Sequence, residues 1–231
     1  MNQRQAEVRV IVFGPPDPPY LNGIEGLQDG VSSNVTCTSD NGYPAPTFLW
    51  YLGTKNVTKY SYTQSLGNKN HRKDAISLFT FTPTVDNHGK LLVCQVFQPN
   101  AASMEYRSVS EVLQVLYSPV IVDFSVRRVS TGHQSLDAII TCTSDSRPLA
   151  SITLFSNSIE LNNSTRHQIH RSLLQEDTSR SSILVISNIS AEDDGNYTCL
   201  ADTRLGNDSA TITLSYSGKP FTIRPRRMYV Q

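Results

Sequence analysis

The chain lacks most of what would mark a nucleic-acid binder, an enzyme or a membrane span. Its 20 basic and 20 acidic residues cancel, and no basic stripe gathers along any stretch. A polyanion partner needs surplus positive charge, so nucleic acid is not expected as a partner. Nowhere do about 18 apolar residues run together, so no transmembrane helix is expected. Membrane association is left to a segment outside these residues. The opening Met1-Asn2-Gln3-Arg4-Gln5-Ala6-Glu7 holds no apolar stretch of the kind a secretory leader carries. An extracellular protein would then have its leader elsewhere. No segment sustains a helical period for three turns, and Leu173-Leu174-Gln175-Glu176 offers one turn at most. Tryptophan occurs once and cysteine four times in 231 residues.

Catalytic groups are as scarce. None of the histidines (His71, His88, His133, His167, His170) stands beside a nucleophile elbow. His167-Gln168-Ile169-His170 has the spacing of a metal pair on a helix, but here an edge strand or loop is expected. Glu192-Asp193-Asp194 offers too few oxygens for a closed calcium shell. No cysteine stands in the C-x-x-C pairs that zinc favours. The chain therefore reads as a non-enzyme, with no catalytic residue, metal, cofactor or small-molecule substrate.

The residues present tell more. Cys37 and Cys94 lie 57 apart, and so do Cys142 and Cys199. Four cysteines allow three pairings, and the equal spacings favour pairing within each half. N-x-[ST] sequons begin at Asn34, Asn56, Asn162, Asn163, Asn188, Asn196 and Asn207. Chance would place about three of the 15 asparagines so. The excess points to N-glycosylation and the secretory route, where disulfides persist.

The halves repeat. Val35-Thr36-Cys37-Thr38-Ser39-Asp40 matches Ile140-Thr141-Cys142-Thr143-Ser144-Asp145, a period near one sandwich domain. Val120–Val126, Ala138–Cys142, Ser182–Ile186 and Ala210–Leu214 read as strands. Asp40–Pro44, Leu66–Asn68 and Leu205–Asp208 read as turns. The fold class is all-β, two tandem sandwiches. Glu111–Pro119 reads as a last strand leading straight into the next domain. Glu7–Pro15 repeats that pattern. It is either the last strand of a preceding domain or the first strand of this one.

Trp50 lies 13 residues after Cys37, on the alternating Thr47-Phe48-Leu49-Trp50-Tyr51-Leu52. Asp193-Asp194-Gly195-Asn196-Tyr197-Thr198-Cys199 places a tyrosine two residues before the second cysteine, as a tyrosine corner requires. Each half departs once. Leu154 stands where the second half would have tryptophan, and Leu92 where the first would have tyrosine. Trp50, Leu92, Leu154 and Tyr197 are the expected core markers.

These residues resemble the immunoglobulin superfamily. The first half is similar to the C2-type domains of the nectin, nephrin and kin-of-irregular-chiasm adhesion proteins. Tyr43-Pro44-Ala45-Pro46, Phe79–Thr84, Gly89–Cys94 and Pro15–Pro19 carry that likeness. The second half resembles an I-set domain. The resemblance covers about residues 15–217, as 15–118 (C2-type) and 119–217 (I-set); 1–14 is then either the last strand and linker of a preceding domain or the first strand of this one, and 218–231 an extension or linker. It implies extracellular adhesion or recognition by a cell-surface receptor through a protein ligand, self-association being one form. The alternative is a secreted immune-type recognition protein whose immunoglobulin domains carry an effector or lectin-like module. A glycan on Asn34 would cover one sheet of the first domain. The partner is then expected near Phe97, Gln98 and Met104 or on the neighbouring sheet face. Arg224-Pro225-Arg226-Arg227 resembles a proprotein-convertase site, or else is an exposed segment leading onward.

Overall fold

The computed structural model describes residues 13–67, 72–99, 105–131, 135–173 and 178–217. The strand expected over 6–13 (save Phe13), the segment 218–231 with its Arg224–Arg227 motif, His71, Met104, His133 and residues 174–176 lie outside the described residues. The chain divides into two compact units between Val115 and Leu116. Tyr117-Ser118-Pro119 opens the first strand of the second unit, where Tyr117 pairs with Arg147.

In the first unit the strands are β1 (Tyr20–Asn22), β2 (Ser33–Gly42), β3 (Thr47–Leu52), β4 (Lys55–Asn56), β5 (Ser61–Gly67), β6 (Lys73–Phe81), β7 (Leu91–Phe97) and β8 (Tyr106–Val112). They form two antiparallel sheets, β1-β2-β6-β5 and β4-β3-β7-β8. Alternation decides which side chains turn inward. Along β7, Leu92, Cys94 and Val96 are buried while Leu91 is exposed and Val93, Gln95 and Phe97 are half-buried. The inward residues meet those of β2 and β6, and Cys37–Cys94 joins the sheets. Trp50 is fully buried, stands opposite Cys94, and stacks on Phe79 at 5.2 Å between ring centroids. Its indole N–H donates to Ser77 Oγ at 2.9 Å. The turn expected at Asp40–Pro44 begins later. β2 continues to Gly42 through a register shift after Ser39, with Asn41 at φ 61. Asparagine tolerates this left-handed backbone, and the Arg72 guanidinium donates to its carbonyl at 2.8 Å.

The second unit has β9 (Tyr117–Ser130), β10 (Leu136–Arg147), β11 (Ser151–Ser156), β12 (Ile159–Glu160), β13 (His167–Leu173), β14 (Ser179–Ile186), β15 (Gly195–Thr203) and β16 (Gly206–Leu214). The sheets are β13-β14-β10-β9 and β12-β11-β15-β16, joined by Cys142–Cys199. Leu154 faces Cys199 in the register that Trp50 has with Cys94. The Tyr197 hydroxyl donates to the Asp193 carbonyl at 3.1 Å, closing the tyrosine corner. Asp193 is also a cap. Its carboxylate accepts the Ser190 backbone N–H at 2.8 Å and pairs with Arg166 at 2.7 Å. Neighbouring protein groups thus already occupy the one buried carboxylate of the Glu192–Asp194 cluster.

The exchange of tryptophan for leucine leaves a trace. Ser77 faces Cys37, and Ser182 faces Cys142 at the matching place. Ser77 takes the indole N–H, whereas the buried Ser182 hydroxyl has no hydrogen-bond partner. A buried unpaired hydroxyl costs about 1–3 kcal/mol. Ser182→Ala is expected to stabilise the second unit by about 1 kcal/mol. Ser77→Ala, which strands the indole N–H, should destabilise the first by at least as much. Urea denaturation checks both. The sole tryptophan reports the first unit by fluorescence, and hydrogen exchange reads the second. Equal effects of one sign in both units would contradict this account.

Candidate functional site

Eleven side chains of the first unit point outward from the adjacent strands β3, β7 and β8: three from β3, four from β7 and four from β8. None is Asp, Glu, Lys or Arg. The ladder arranges them in rows. Leu91 faces Val112, and Val93 lies between Tyr51 and Ser110. Gln95 lies between Leu49 and Ser108, and Phe97 between Thr47 and Tyr106. Leu91, Val112 and Tyr106 are 47%, 46% and 51% exposed. The half-buried Phe97 ring leans on Tyr106 at 5.3 Å. An uncharged sheet face with exposed apolar side chains is a surface that water leaves readily, and such patches mark contact sites.

The matching face of the second unit is different. Asn196 and Asn207 point outward from β15 and β16, paired with Thr213 and Asp202. Asn196 accepts the Thr213 hydroxyl at 2.9 Å. Both begin sequons. In the first unit the nearest sequon to the uncharged face is Asn56, on edge strand β4 opposite Tyr51. Its amide oxygen accepts the Thr58 N–H at 3.0 Å. All seven sequon asparagines are exposed.

Of the side chains expected to meet a partner, Phe97 lies on this face. Gln98 is turned inward, 6% exposed, with its amide N–H donating to the Pro44 carbonyl. Met104 is outside the described residues. Sequence alone does not single out Leu91, Tyr106 and Val112. Alternation along Leu91–Phe97 is the available signal, but the facing of β8 depends on its register with β7.

Among the described residues the histidines do not converge. His88 Nδ1 accepts the Val115 N–H at 3.2 Å. His167 and His170 lie on edge strand β13, and an odd spacing on a strand turns them to opposite faces. Among the described residues no three His, Cys, Asp or Glu side chains are grouped to hold a metal. No described helix is long and apolar enough to cross a membrane. The shifted acids have structural causes. Burial pushes the Tyr117 phenol up to about 12, and its hydroxyl donates to Asp145 at 3.1 Å. Burial also raises Tyr197. Asp40 is raised by burial and by the like charges of Asp74 and Asp17. None of the three lies on the uncharged face.

Residues 20–104 match the CD80-like C2-set immunoglobulin domain, and residues 119–202 match a second immunoglobulin domain pattern. The mouse myelin-associated glycoprotein is 27% identical over 196 residues, 83% of this chain and 28% of that protein. Cell adhesion molecule 2 of Xenopus tropicalis is 22% identical over 227 residues, 97% of this chain and 49% of that protein. The chain thus spans half or less of these curated relatives. The crystal structure of the mouse nectin-like molecule 4 ectodomain (Ig1–Ig3) superposes with a TM-score of 0.68 at 19% identity, covering 87% of this chain and 65% of that one. With both sandwiches, both disulfides and both domain patterns in place, the chain belongs to the immunoglobulin superfamily, as two of its domains in tandem.

Proposed function

We propose that the chain is an extracellular adhesion or recognition module, part of a cell-surface receptor ectodomain, that binds a protein partner through the outer face of β3, β7 and β8. It works by binding and not by catalysis. The observation that carries this is the contrast between matching faces. The first unit presents an uncharged, partly apolar surface, whereas the second presents two sequon asparagines. Bulky glycans at Asn196 and Asn207 would shield that second face on its central strand β15 and on β16, whereas the sequon beside the first face, Asn56, stands at its β4 edge, away from β7 and β8. The adhesion character of the relatives supports the partner class: another immunoglobulin-type ectodomain, a second copy of this chain included.

The test is a binding screen of the secreted chain, as a tetramer, against displayed immunoglobulin-type ectodomains and against itself. Leu91→Asp and Val112→Asp place charge on exposed positions without touching the core. Each is expected to weaken a detected interaction about tenfold or more, the scale of a well-packed contact residue. Thr211→Asp on the second unit's face should change nothing. Face variants that bind as tightly as the parent would overturn the proposal.

A further inference from the structure

The first unit has a second exposed apolar face, on the opposite sheet. Tyr62, Leu66, Ile76 and Tyr20 are 69%, 61%, 44% and 49% exposed. The register puts Tyr20, Thr38, Ile76 and Gln64 in one row across β1-β2-β6-β5, and Asn22, Thr36, Leu78 and Tyr62 in the next. The row after that holds Asn34 and Thr80. These three rows carry no charged side chain, whereas Asp40 and Asp74 lie at the far end of the same face. Asn34 therefore shares the face with the tyrosines. Two strand spacings, about 10 Å, separate the strand of Asn34 from that of Tyr62.

We infer that Asn34 carries an N-linked glycan whose first sugars lie over Tyr62, Leu78 and Ile76. The Asn34 amide oxygen is engaged, accepting the Thr80 hydroxyl at 2.8 Å. That bond fixes the amide plane, and Nδ2 is the atom modified. In the transfer, a bond forms between Nδ2 and C1 of the first sugar. The C1–O bond to a lipid-linked diphosphate donor breaks, the diphosphate leaves, and the amide gives up one proton. The surface suits a carbohydrate. Sugar rings have apolar C–H faces and hydroxyl edges, and this surface interleaves tyrosine and aliphatic side chains with Thr36 and Gln64. A glycan rooted on the face also excludes a protein from it, so one occupant accounts for the exposed tyrosines without a second docking surface.

The inference rests on the secretory route of the proposed function and not on its binding face. The experiment uses the chain secreted from mammalian cells. Glycopeptide mass spectrometry reads occupancy at each sequon, and hydroxyl-radical footprinting reads the exposure of Tyr62. Asn34 should be occupied, and Tyr62 should be modified several-fold more slowly than in the Thr36→Val variant. That variant deletes the sequon but keeps Asn34. Normal fluorescence of Trp50 in the variant excludes a folding defect. Occupancy elsewhere but not at Asn34 overturns this inference alone. No occupancy at any sequon overturns it together with the secretory route. An occupied Asn34 with Tyr62 equally reactive in both proteins overturns the seating.

Discussion

Replacing Trp50 with alanine is expected to cost the first unit about 3–5 kcal/mol. The side chain is fully buried and is the largest in that core. It begins a stack that runs through Phe79 to Phe81, with centroid separations of 5.2 Å and 4.9 Å. Alanine would leave a cavity between the two sheets, lined by Phe79 and by the strand that carries Cys94. Close-packed side chains cannot collapse fully into such a space, which is why the cost exceeds simple transfer of the ring. A polar loss adds to it. Ser77 Oγ would lose the indole N–H and keep only the Thr63 hydroxyl at 3.1 Å. Trp50→Phe separates the two parts. It restores most of the volume without the N–H and should cost about 1–2 kcal/mol. Circular dichroism during urea denaturation measures both, because fluorescence disappears with the tryptophan. A loss for Trp50→Ala no larger than for a surface substitution would refute the core assignment.

The framework of the fold was legible because its signals are local. Two equal cysteine spacings, a tryptophan on an alternating strand and a tyrosine two residues before a cysteine each describe a short stretch of chain. What escaped was set by pairing between distant segments. Asp40–Pro44 has the composition of a turn, yet pairing with β6 carries the strand to Gly42 and confines the irregularity to Asp40 and Asn41, with the left-handed backbone at Asn41. Gln98 reads as a polar loop residue beside Phe97, but its amide reaches the Pro44 carbonyl 54 positions away and is buried. The Arg166–Asp193 pair spans 27 positions and neither residue type predicts it. The uncharged face is the clearest case. Tyr106, Ser108, Ser110 and Val112 alternate with Arg107, Val109 and Glu111, and only the register with β7 decides which set faces outward. The Asn34 sequon was legible, but the tyrosines that share its face come from β1 and β5.

Removing the Cys142–Cys199 disulfide by replacing both cysteines with alanine is expected to destabilise the second unit by about 4 kcal/mol. The sequence separation is 57, so the closed loop holds about 58 residues, and chain entropy values closure at that figure. The unit has little else to compensate. Leu154 stands opposite Cys199 in place of a tryptophan, and Ser144, Ser146 and Ser182 bury hydroxyls without partners. Small domains are stable by about 5–15 kcal/mol, so the loss brings this unit close to its unfolding threshold. The Cys37–Cys94 pair has the same separation of 57. Its removal therefore carries the same entropic cost. Both double variants should lose about 4 kcal/mol and differ by no more than about 1 kcal/mol, the scale of a local packing difference. Hydrogen exchange by mass spectrometry under increasing urea reads each unit in its own peptides. If one unit were indifferent to losing its bridge while the other unfolded, loop closure could not be the main source of the stabilisation. The packing around each bridge, the tryptophan against the leucine, would then set the stability of the two domains.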